Sequence, residues 1–290
     1  MDRLNVTKTY KLYINGGFPR TESGRSLPVA DAKGNVIAHV SHGSRKDVRD
    51  AVEAAQSAQP GWAKRTHYNR GQILYRMAEM LEGKAQEFTD ALHATGVATV
   101  GAARKEVEAA IDRLVCYAGW TDKYAQVLGC NNPVAGPYYN FTIPEPTGVV
   151  GVVTPKTPAL LSLVTLAAPP LAAGNTIVVV ANIEQALPAS LLGEVCATSD
   201  VPAGVVNIIT GEHDELLDHL AMHRGVAAIS AANLPKRDAT RLRLGTVDNV
   251  KRVRVDRFKD ADWMDRDRCE SPWMIEPFVE MKTIWHPAAS

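Results

Sequence analysis

The four cysteines of this sequence are its strongest candidates for nucleophilic chemistry, because a thiolate attacks electrophilic carbon and binds metals. None of them belongs to a Cys-x-x-Cys pair. Cys116 lies on a helical stripe, Cys196 ends an apolar helical stretch and Cys130 occupies a turn, so these three are predicted to be structural. Cys269 follows Arg266 and Arg268, whose charges would lower its pKa. It has no glycine turn or general base beside it, which favours a surface or partly packed thiol.

Two histidines four residues apart, His219 and His223, have a spacing that can place both imidazoles on one face of a helix. Asp214 and Asp218 lie close by, so the group has the residue types of a metal site. No third ligand follows at a recognisable spacing, and a solvated helix face is favoured. Lys156 follows a predicted strand and can bind an anion, although a solvated lysine is again favoured. The sequence therefore predicts no metal site.

Composition and charge exclude several classes of partner. The 290 residues carry 32 basic and 32 acidic side chains, so the net charge favours neither a nucleic acid nor an anionic membrane. Apolar runs stay well short of the about 18 residues of a membrane-spanning helix. The first residues lack the apolar core of a signal peptide, and the cysteines show no disulfide pattern. We therefore expect reduced thiols, a cytoplasmic protein, and no nucleic-acid or membrane partner.

Predicted strands and helices alternate between residues 148 and 235, the region that contains Lys156, Cys196 and the histidine pair. Short β-branched runs and helical stretches follow one another in the order 149–153, 159–173, 177–180, 187–197, 205–209, 212–223 and 226–229. Apolar strands separated by helices are typical of a parallel sheet buried on both faces, since right-handed crossovers lay helices over each side. The sequence thus predicts an α/β fold with a doubly wound parallel sheet.

Three other segments flank this core. Residues 1–147 are predicted to be mainly helical and to end in a hairpin arm. Residues 236–268 hold eleven Lys or Arg and seven Asp or Glu, a composition typical of a solvated linker, which we expect to run to residue 276. Residues 277–290 recover a strand pattern with apolar side chains on both faces, so this strand is expected to pair and to be buried on both faces.

Several motifs follow one another along most of the chain. They are KLYINGGF (11–18), EPTGVVGVVTP (145–155), LAAGNTIVVV (171–180), VPAGVVNIITG (201–211), GVAAIS (225–230) and FVEMKTIWHP (278–287). In type and order they resemble the NAD(P)-dependent aldehyde dehydrogenase superfamily. The resemblance implies a Rossmann-like cofactor domain with an N-terminal helical region and an oligomerisation arm. It also implies an activity in which a cysteine attacks an aldehyde and a hydride passes to the nicotinamide.

The sequence departs from that family where the chemistry would take place. The family holds its catalytic domain, with a Gly-Gln-x-Cys loop, before the final strand, and this chain has only the charged segment there. Thr157 stands where the family has an asparagine that stabilises the oxyanion. Glu212 and Pro235 add charge and remove an amide near the expected phosphates. The departures thus predict no active nucleophile and no tight binding of NAD or NADP. Other residue types also occupy the implied coenzyme positions, which are Lys156, Val180, Ile183, Asn233 and Leu234.

The features that serve assembly in the family are retained. There, a hairpin arm and the last strand form a small sheet that packs on the catalytic domain of a neighbouring subunit. We therefore expect a catalytically inactive subunit that forms a hetero-oligomer with a full-length aldehyde dehydrogenase. Two alternatives stay open: an NAD(P)-dependent aldehyde oxidoreductase with a non-standard or partner-supplied cysteine, and a nucleotide-binding module without catalysis. The interface residues that this implies are Tyr138, Tyr139, Phe141, Phe278, Val279, Met281, Ile284 and Trp285.

Overall fold

The computed structural model describes residues 6–288, with the side chain of Gln185 excepted. Its first half contains three short strands, five helices and the two strands of an arm. In chain order these are β1 (Lys8–Tyr10), β2 (Ser26–Ala30), β3 (Val36–Ser41), α1 (Arg45–Lys64), α2 (His67–Gly83), α3 (Ala85–Ala94), α4 (Val100–Trp120), α5 (Tyr124–Leu128), β4 (Cys130–Asn132) and β5 (Tyr138–Pro146).

The second half alternates strands with helices before a final strand. Its elements are β6 (Val149–Val153), α6 (Ala159–Ala173), β7 (Thr176–Asn182), α7 (Ala186–Ala197), β8 (Val206–Gly211), α8 (His213–Met222), β9 (Ala228–Ala232), α9 (Lys236–Gly245), β10 (Arg252–Asp256), α10 (Arg266–Cys269) and β11 (Val279–Pro287). Within residues 6–288, the helices are all too short or too polar to cross a membrane.

The long N-terminal helices begin at polar caps. At the start of α1, the Ser44 hydroxyl accepts a hydrogen bond from the Asp47 N–H while the Asp47 carboxylate accepts one from the Ser44 N–H, a capping box. The hydroxyls of Thr66 and Thr99 accept hydrogen bonds from the first turns of α2 and α4. These caps satisfy amides that have no partner within the helix.

Strands β6 to β10 form a five-stranded parallel sheet in the order β10-β9-β6-β7-β8. Alternate strand residues face two separate cores. Val150 and Val179 pack with helices α2 to α7, whereas Val153 and Val178 pack with α1, α8 and α9. Helices therefore cover both faces, and the predicted α/β class with a doubly wound, Rossmann-like sheet is confirmed.

The predicted solvated linker over residues 236–276 is wrong, because this segment completes the fold. Ala239 and Leu242 of α9 are buried in the core shared with α1 and α8. Strand β10 pairs with β9 along its whole length, which extends the core predicted at 148–235 to Asp256. Arg241, on the other side of α9, forms ion pairs with α8. The high charge thus marks an exposed helix face and an edge strand whose few apolar residues all lie on one side.

Residues 257–278 cross over α4, and six of their side chains are buried. The rings of Phe258 and Trp263 lie 4.4 Å apart, and both side chains, like that of Ile275, belong to the larger core. Helix α4 holds the backbone of this crossing. An Arg113 Nη donates to the Trp263 carbonyl at 3.0 Å, and the side chains of Tyr117 and Trp120 donate to the carbonyls of residues 269 and 270. The segment is therefore an integral part of the domain.

The final strand pairs antiparallel with β5, from Val279 opposite Pro146 to Pro287 opposite Tyr138, and β4 pairs with the other side of β5. The expected pairing is present. The expected burial on both faces is wrong within this chain, because Val279 alone among the residues of β11 is buried. No strand within residues 6–288 pairs with the second edge of β11. The faces of β11 are therefore left largely uncovered by the described residues.

Candidate functional site

An open cleft of about 580 Å³ lies at the carboxyl ends of β6, β7 and β9. The chain passes from β6 through β7 to β8 on one side of the sheet and then returns to β9 on the other side of β6. Doubly wound sheets bind their ligands in the crevice where the strand order reverses in this way. The cleft is lined by Pro155, Lys156, Asn182, Ile183, Glu184, Glu212, His213, Asp214, Asn233, Leu234, Pro235, Arg237 and Asp238.

The charges of this cleft are mainly negative, since its lining carries four carboxylates and two cations. Lys156 forms an ion pair with Glu184. Arg237 lies 3.3 Å from Asp214. Both cations are therefore paired with carboxylates of the cleft itself. Asp238 lies 3.8 Å from Arg241 outside the lining, and Glu212 adds a further negative charge to the cleft. An anionic ligand such as a phosphate would be repelled here.

The turn after β9 is directed toward the protein interior. Asn233 has a left-handed backbone with φ of 50°. Its side chain exchanges two hydrogen bonds with the backbone of Phe258, at 2.8 and 2.9 Å. Leu234 is 1% exposed and packs in the core with α1, α8 and α9. Pro235 precedes α9 and has no N–H to offer. This turn therefore anchors the crossing over α4 and offers an anion fewer amides than an ordinary helix start.

The structure brings most of the predicted coenzyme positions to the cleft. Lys156, Ile183, Asn233 and Leu234 all line it. Val180 does not, because it is fully buried within β7. The Leu234 side chain is also directed mainly into the core. It therefore forms part of the floor of the cleft and obstructs the opening of the cleft little.

Thr157 lines a second, mainly apolar cavity of about 260 Å³, although Lys156 beside it in sequence lines the cleft. The second cavity lies between α3, the start of α6 and the crossing over α4. Lys156 and Thr157, which the family resemblance places at one site, therefore line two different cavities. The lining of the second cavity is Leu92, Val97, Ala98, Glu106, Thr157, Pro158, Ala159, Leu161, Asp260, Trp263 and Met264.

The one carboxylate deep in this second cavity, Glu106, was not identified from the sequence. Glu106 is 8% exposed, and its Oε1 accepts hydrogen bonds from the N–H groups of Leu160 and Leu161 at 2.7 and 3.2 Å. It thus caps α6, whose own N-cap residue is Pro158. Burial raises the pKa of Glu106, and these backbone hydrogen bonds partly oppose the rise. A signal was available, because Glu106 interrupts the apolar stripe of α4 that includes Val107.

Replacing Glu106 with alanine is expected to lower the free energy of unfolding by about 2 kcal/mol, because two buried N–H groups lose their acceptor. Glutamine retains the acceptor and should cost less. Since the folded-state pKa of Glu106 lies above its ordinary 4.5, the folded protein binds the proton more tightly. The stability of the wild type should therefore fall, relative to Glu106→Gln, as pH rises from about 4.5 to the folded-state pKa. Urea unfolding of both proteins across this pH range measures the difference, and parallel curves would contradict it.

The cysteines are placed as structural residues, apart from Cys130. Cys269 is fully buried, and its Sγ donates to the Asp262 carbonyl at 3.2 Å. Burial raises the pKa of Cys269, so the expected lowering by its arginine neighbours is outweighed. Burial likewise raises the pKa of Cys116 to about 11 and that of Cys196 to about 12. Cys130 is exposed, but it lies in β4 of the small sheet, whose strand β5 leads to the amino end of β6, away from the cleft.

The histidine pair of α8 is not assembled as a metal site. The Nδ1 of His223 accepts a hydrogen bond from the Gly225 N–H at 3.1 Å. The carboxylates of Asp214 and Asp218 are both engaged by Arg241 at 2.9 Å. The neighbouring groups therefore already have partners.

The residues expected at a subunit interface fall into two groups. Phe278 and Val279 are each 2% exposed and belong to the chain's own core. The rings of Tyr138 and Trp285 meet edge to face at 5.8 Å on the small sheet. The remaining members of the set lie at the surface of the arm and the final strand, where four are exposed (Tyr138, Tyr139, Met281 and Trp285) and two are half-buried (Phe141 and Ile284).

Comparison with known proteins gives one consistent result. The model of the aldehyde dehydrogenase family matches residues 20–232. The chain is 31% identical over 264 residues to the mitochondrial aldehyde dehydrogenase family 2 member B4 of Arabidopsis thaliana, covering 87% of this chain and 48% of that protein. It is 32% identical over 251 residues to the mitochondrial benzaldehyde dehydrogenase of Antirrhinum majus, covering 85% and 46%.

Solved structures give the same picture. The NAD⁺ complex of an aldehyde dehydrogenase from Bacillus cereus superposes with a TM-score of 0.81 at 25% identity, over 86% of this chain and 51% of that one. The aldehyde dehydrogenase of Brucella melitensis biovar abortus 2308 gives the same TM-score, identity and coverage. This chain therefore spans about half the length of the relatives that it matches.

Proposed function

The chain belongs to the aldehyde dehydrogenase family, and from that membership we propose that it is a catalytically inactive subunit that assembles with a complete member of the family. Its relatives are oxidoreductases that act on aldehydes. The observation that carries the proposal is the state of the cysteines. An active member needs an accessible thiolate next to the coenzyme cleft.

The thiols of this chain do not meet that need. Cys269, the nearest candidate by position in the sequence, is fully buried and its pKa is raised. Cys116 and Cys196 have raised pKa values as well. The exposed Cys130 lies in the arm. Thr157 replaces an amide donor with a hydroxyl and lines a separate cavity, which further weakens any oxyanion site.

The residues of the cleft do not fit a dinucleotide coenzyme. Its volume of about 580 Å³ is sufficient for part of one. Its charge is not suitable, because Lys156 and Arg237 are paired with Glu184 and Asp214, and carboxylates outnumber cations. Pro235 offers no amide at the start of α9. We propose that the cleft does not bind NAD or NADP tightly, and no reaction step is derived through either.

The small sheet supports the second half of the proposal, the assembly with a complete relative. Strand β11 has one free edge in the described part of the chain, and its exposed residues include Met281 and Trp285. A free nine-residue strand with large apolar side chains is a template for pairing with another chain. Between β9 and β11 this chain has only α9, β10 and the crossing over α4, so two copies are not expected to offer each other the surface that a complete relative offers.

Calorimetric titration of the chain with NAD⁺ and NADP⁺, together with aldehyde oxidation assays, tests the proposal. We expect no saturable binding at millimolar coenzyme and no turnover above a sample without protein. The exchange Glu184→Gln serves as the matched variant, because it removes the carboxylate that pairs with Lys156. If the negative charge of the cleft prevents coenzyme binding, weak binding should become detectable in this variant. Turnover by the purified chain would overturn the proposal.

One alternative is favoured by a specific observation, the retained volume of the cleft. Saturable micromolar binding of a coenzyme without turnover would identify the chain as a nucleotide-binding module. Turnover only when the chain is mixed with a relative whose cysteine is intact but whose own coenzyme site is disabled would instead indicate a partner-supplied nucleophile. The same titrations and assays therefore distinguish the three functions.

A further inference from the structure

Three side chains capable of binding a metal meet where the N-terminal sheet contacts the start of α8. His42 follows β3, Glu212 is the N-cap residue of α8, and Glu215 lies in its first turn. One nitrogen of the imidazole and one oxygen of each carboxylate lie within 4.8 Å of one another. The group lies beside the cleft and uses none of the cysteines.

The backbone fixes the position of the imidazole. The N–H of His42 donates to the Arg25 carbonyl at 3.0 Å, and the N–H of Gly43 donates to the Thr210 carbonyl at 2.8 Å. A side chain at Gly43 would come within 2.4 Å of Ile209, so only glycine allows this close approach. The ends of β3 and β8 are thus held side by side, and His42 is placed against the first turn of α8.

The imidazole itself points to a ligand. His42 is 6% exposed, yet its Nε2 has no hydrogen-bond partner among the described residues. This atom lies 3.6 Å from Oε1 of Glu215, so it is directed into the group of carboxylates. Buried polar atoms in folded proteins nearly always have a partner, and an unpaired one calls for an explanation.

We propose that His42, Glu212 and Glu215 bind a divalent transition metal, with Zn²⁺ as the best match. One imidazole nitrogen and two carboxylate oxygens are ligands that Zn²⁺ accepts, and water completes its coordination. A tetrahedral zinc ion holds its ligand atoms about 3.3 Å apart, so the group needs only a modest contraction. The two carboxylates are exposed and can rotate to provide it.

Arg25 occupies part of this site and makes the proposal testable. Its guanidinium donates to both oxygens of Glu215, at 2.6 and 3.2 Å. The Arg25 side chain is 44% exposed, so it can move aside when a metal ion binds. The cation and the metal compete for the same carboxylate. Removal of Arg25 should therefore strengthen metal binding, an effect that a merely structural role of the histidine does not predict.

Titration of the complete chain with Zn²⁺ by calorimetry tests this site. The exchange Cys130→Ser is included throughout, because Cys130 is the exposed thiol among residues 6–288. We expect one Zn²⁺ per chain, affinity lowered at least tenfold by Glu212→Gln and by His42→Gln, and affinity raised severalfold by Arg25→Gln. His219→Gln is the matched control and should leave the affinity unchanged.

Three results would overturn the assignment. Zn²⁺ binding that is unchanged by Glu212→Gln would show that the metal does not bind at this site. Because Glu212 is exposed, this variant should fold even if His42→Gln does not. Loss of binding in His219→Gln assigns the metal to α8 alone. Equal affinity for Ca²⁺ and Zn²⁺ would show that the carboxylates bind the ion without the imidazole, because Ca²⁺ takes oxygen ligands. None of these measurements depends on coenzyme or aldehyde, so they are independent of the proposed function.

Discussion

Replacing Arg113 with alanine is expected to lower the free energy of unfolding by about 3 kcal/mol, near the lower end of the range for breaking a buried charge network. Arg113 is 1% exposed and donates to the Thr165 hydroxyl at 2.6 Å and to the Trp263 carbonyl at 3.0 Å. Its Nε lies 3.5 Å from Glu270. The lower end applies because Arg266 also holds Glu270, at 2.8 Å, and would retain it.

Chemical denaturation of the variant measures this loss, and limited proteolysis locates it. Since Arg113 joins α4 to the crossing at residues 257–278, cleavage in the variant should concentrate in that segment. Arg104→Ala is the matched control, because Arg104 is an exposed arginine of the same helix and should change the stability by less than about 0.5 kcal/mol. Equal stabilities of the two variants would show that the crossing does not depend on Arg113.

The crossing that Arg113 joins to α4 could not be predicted from the sequence, although the core of the sheet could. The doubly wound core was predictable because strands buried on both faces leave continuous β-branched runs, such as Val149–Val153. The segment after β9 leaves no such run, since β10 alternates arginine with valine at the edge of the sheet. The residues that hold the crossing over α4 lie on α4 itself, about 150 residues away in sequence. Charge content alone therefore suggested a linker.

The candidate sites show the same division. The cleft was predictable because Lys156 follows a predicted buried strand, and the carboxyl ends of parallel strands form such clefts. The group of His42, Glu212 and Glu215 was not, because its members come from elements 170 residues apart and share no spacing rule. Glu106 and Arg113 did leave a signal. Each is a charged residue in the apolar stripe of α4, where burial requires a specific partner.

Trp285→Ser is expected to weaken assembly with a complete aldehyde dehydrogenase by about 30-fold, equal to about 2 kcal/mol, a typical loss for a tryptophan at the centre of an interface. This prediction depends on the proposed function. Co-expression with a full-length relative from the same organism, followed by affinity capture and native mass spectrometry, detects the complex. Binding of the variant, measured on separately purified components, gives the affinity ratio. Met281→Ser should act in the same direction with a smaller effect, because its side chain contributes less area.

The control for Trp285 is another tryptophan of equal exposure. Trp285 and Trp273 are both 58% exposed, but Trp273 lies in the crossing over α4 and Trp285 on the final strand. Loss of either exposed ring should change the stability of the chain little, so a difference in binding isolates the sheet surface from general apolar adhesion. If Trp273→Ser weakens assembly as much as Trp285→Ser, the free edge of β11 is not the contact. If neither exchange changes the affinity and the chain is a stable monomer, the exposed strand needs no partner. That result would contradict the proposed role as a subunit.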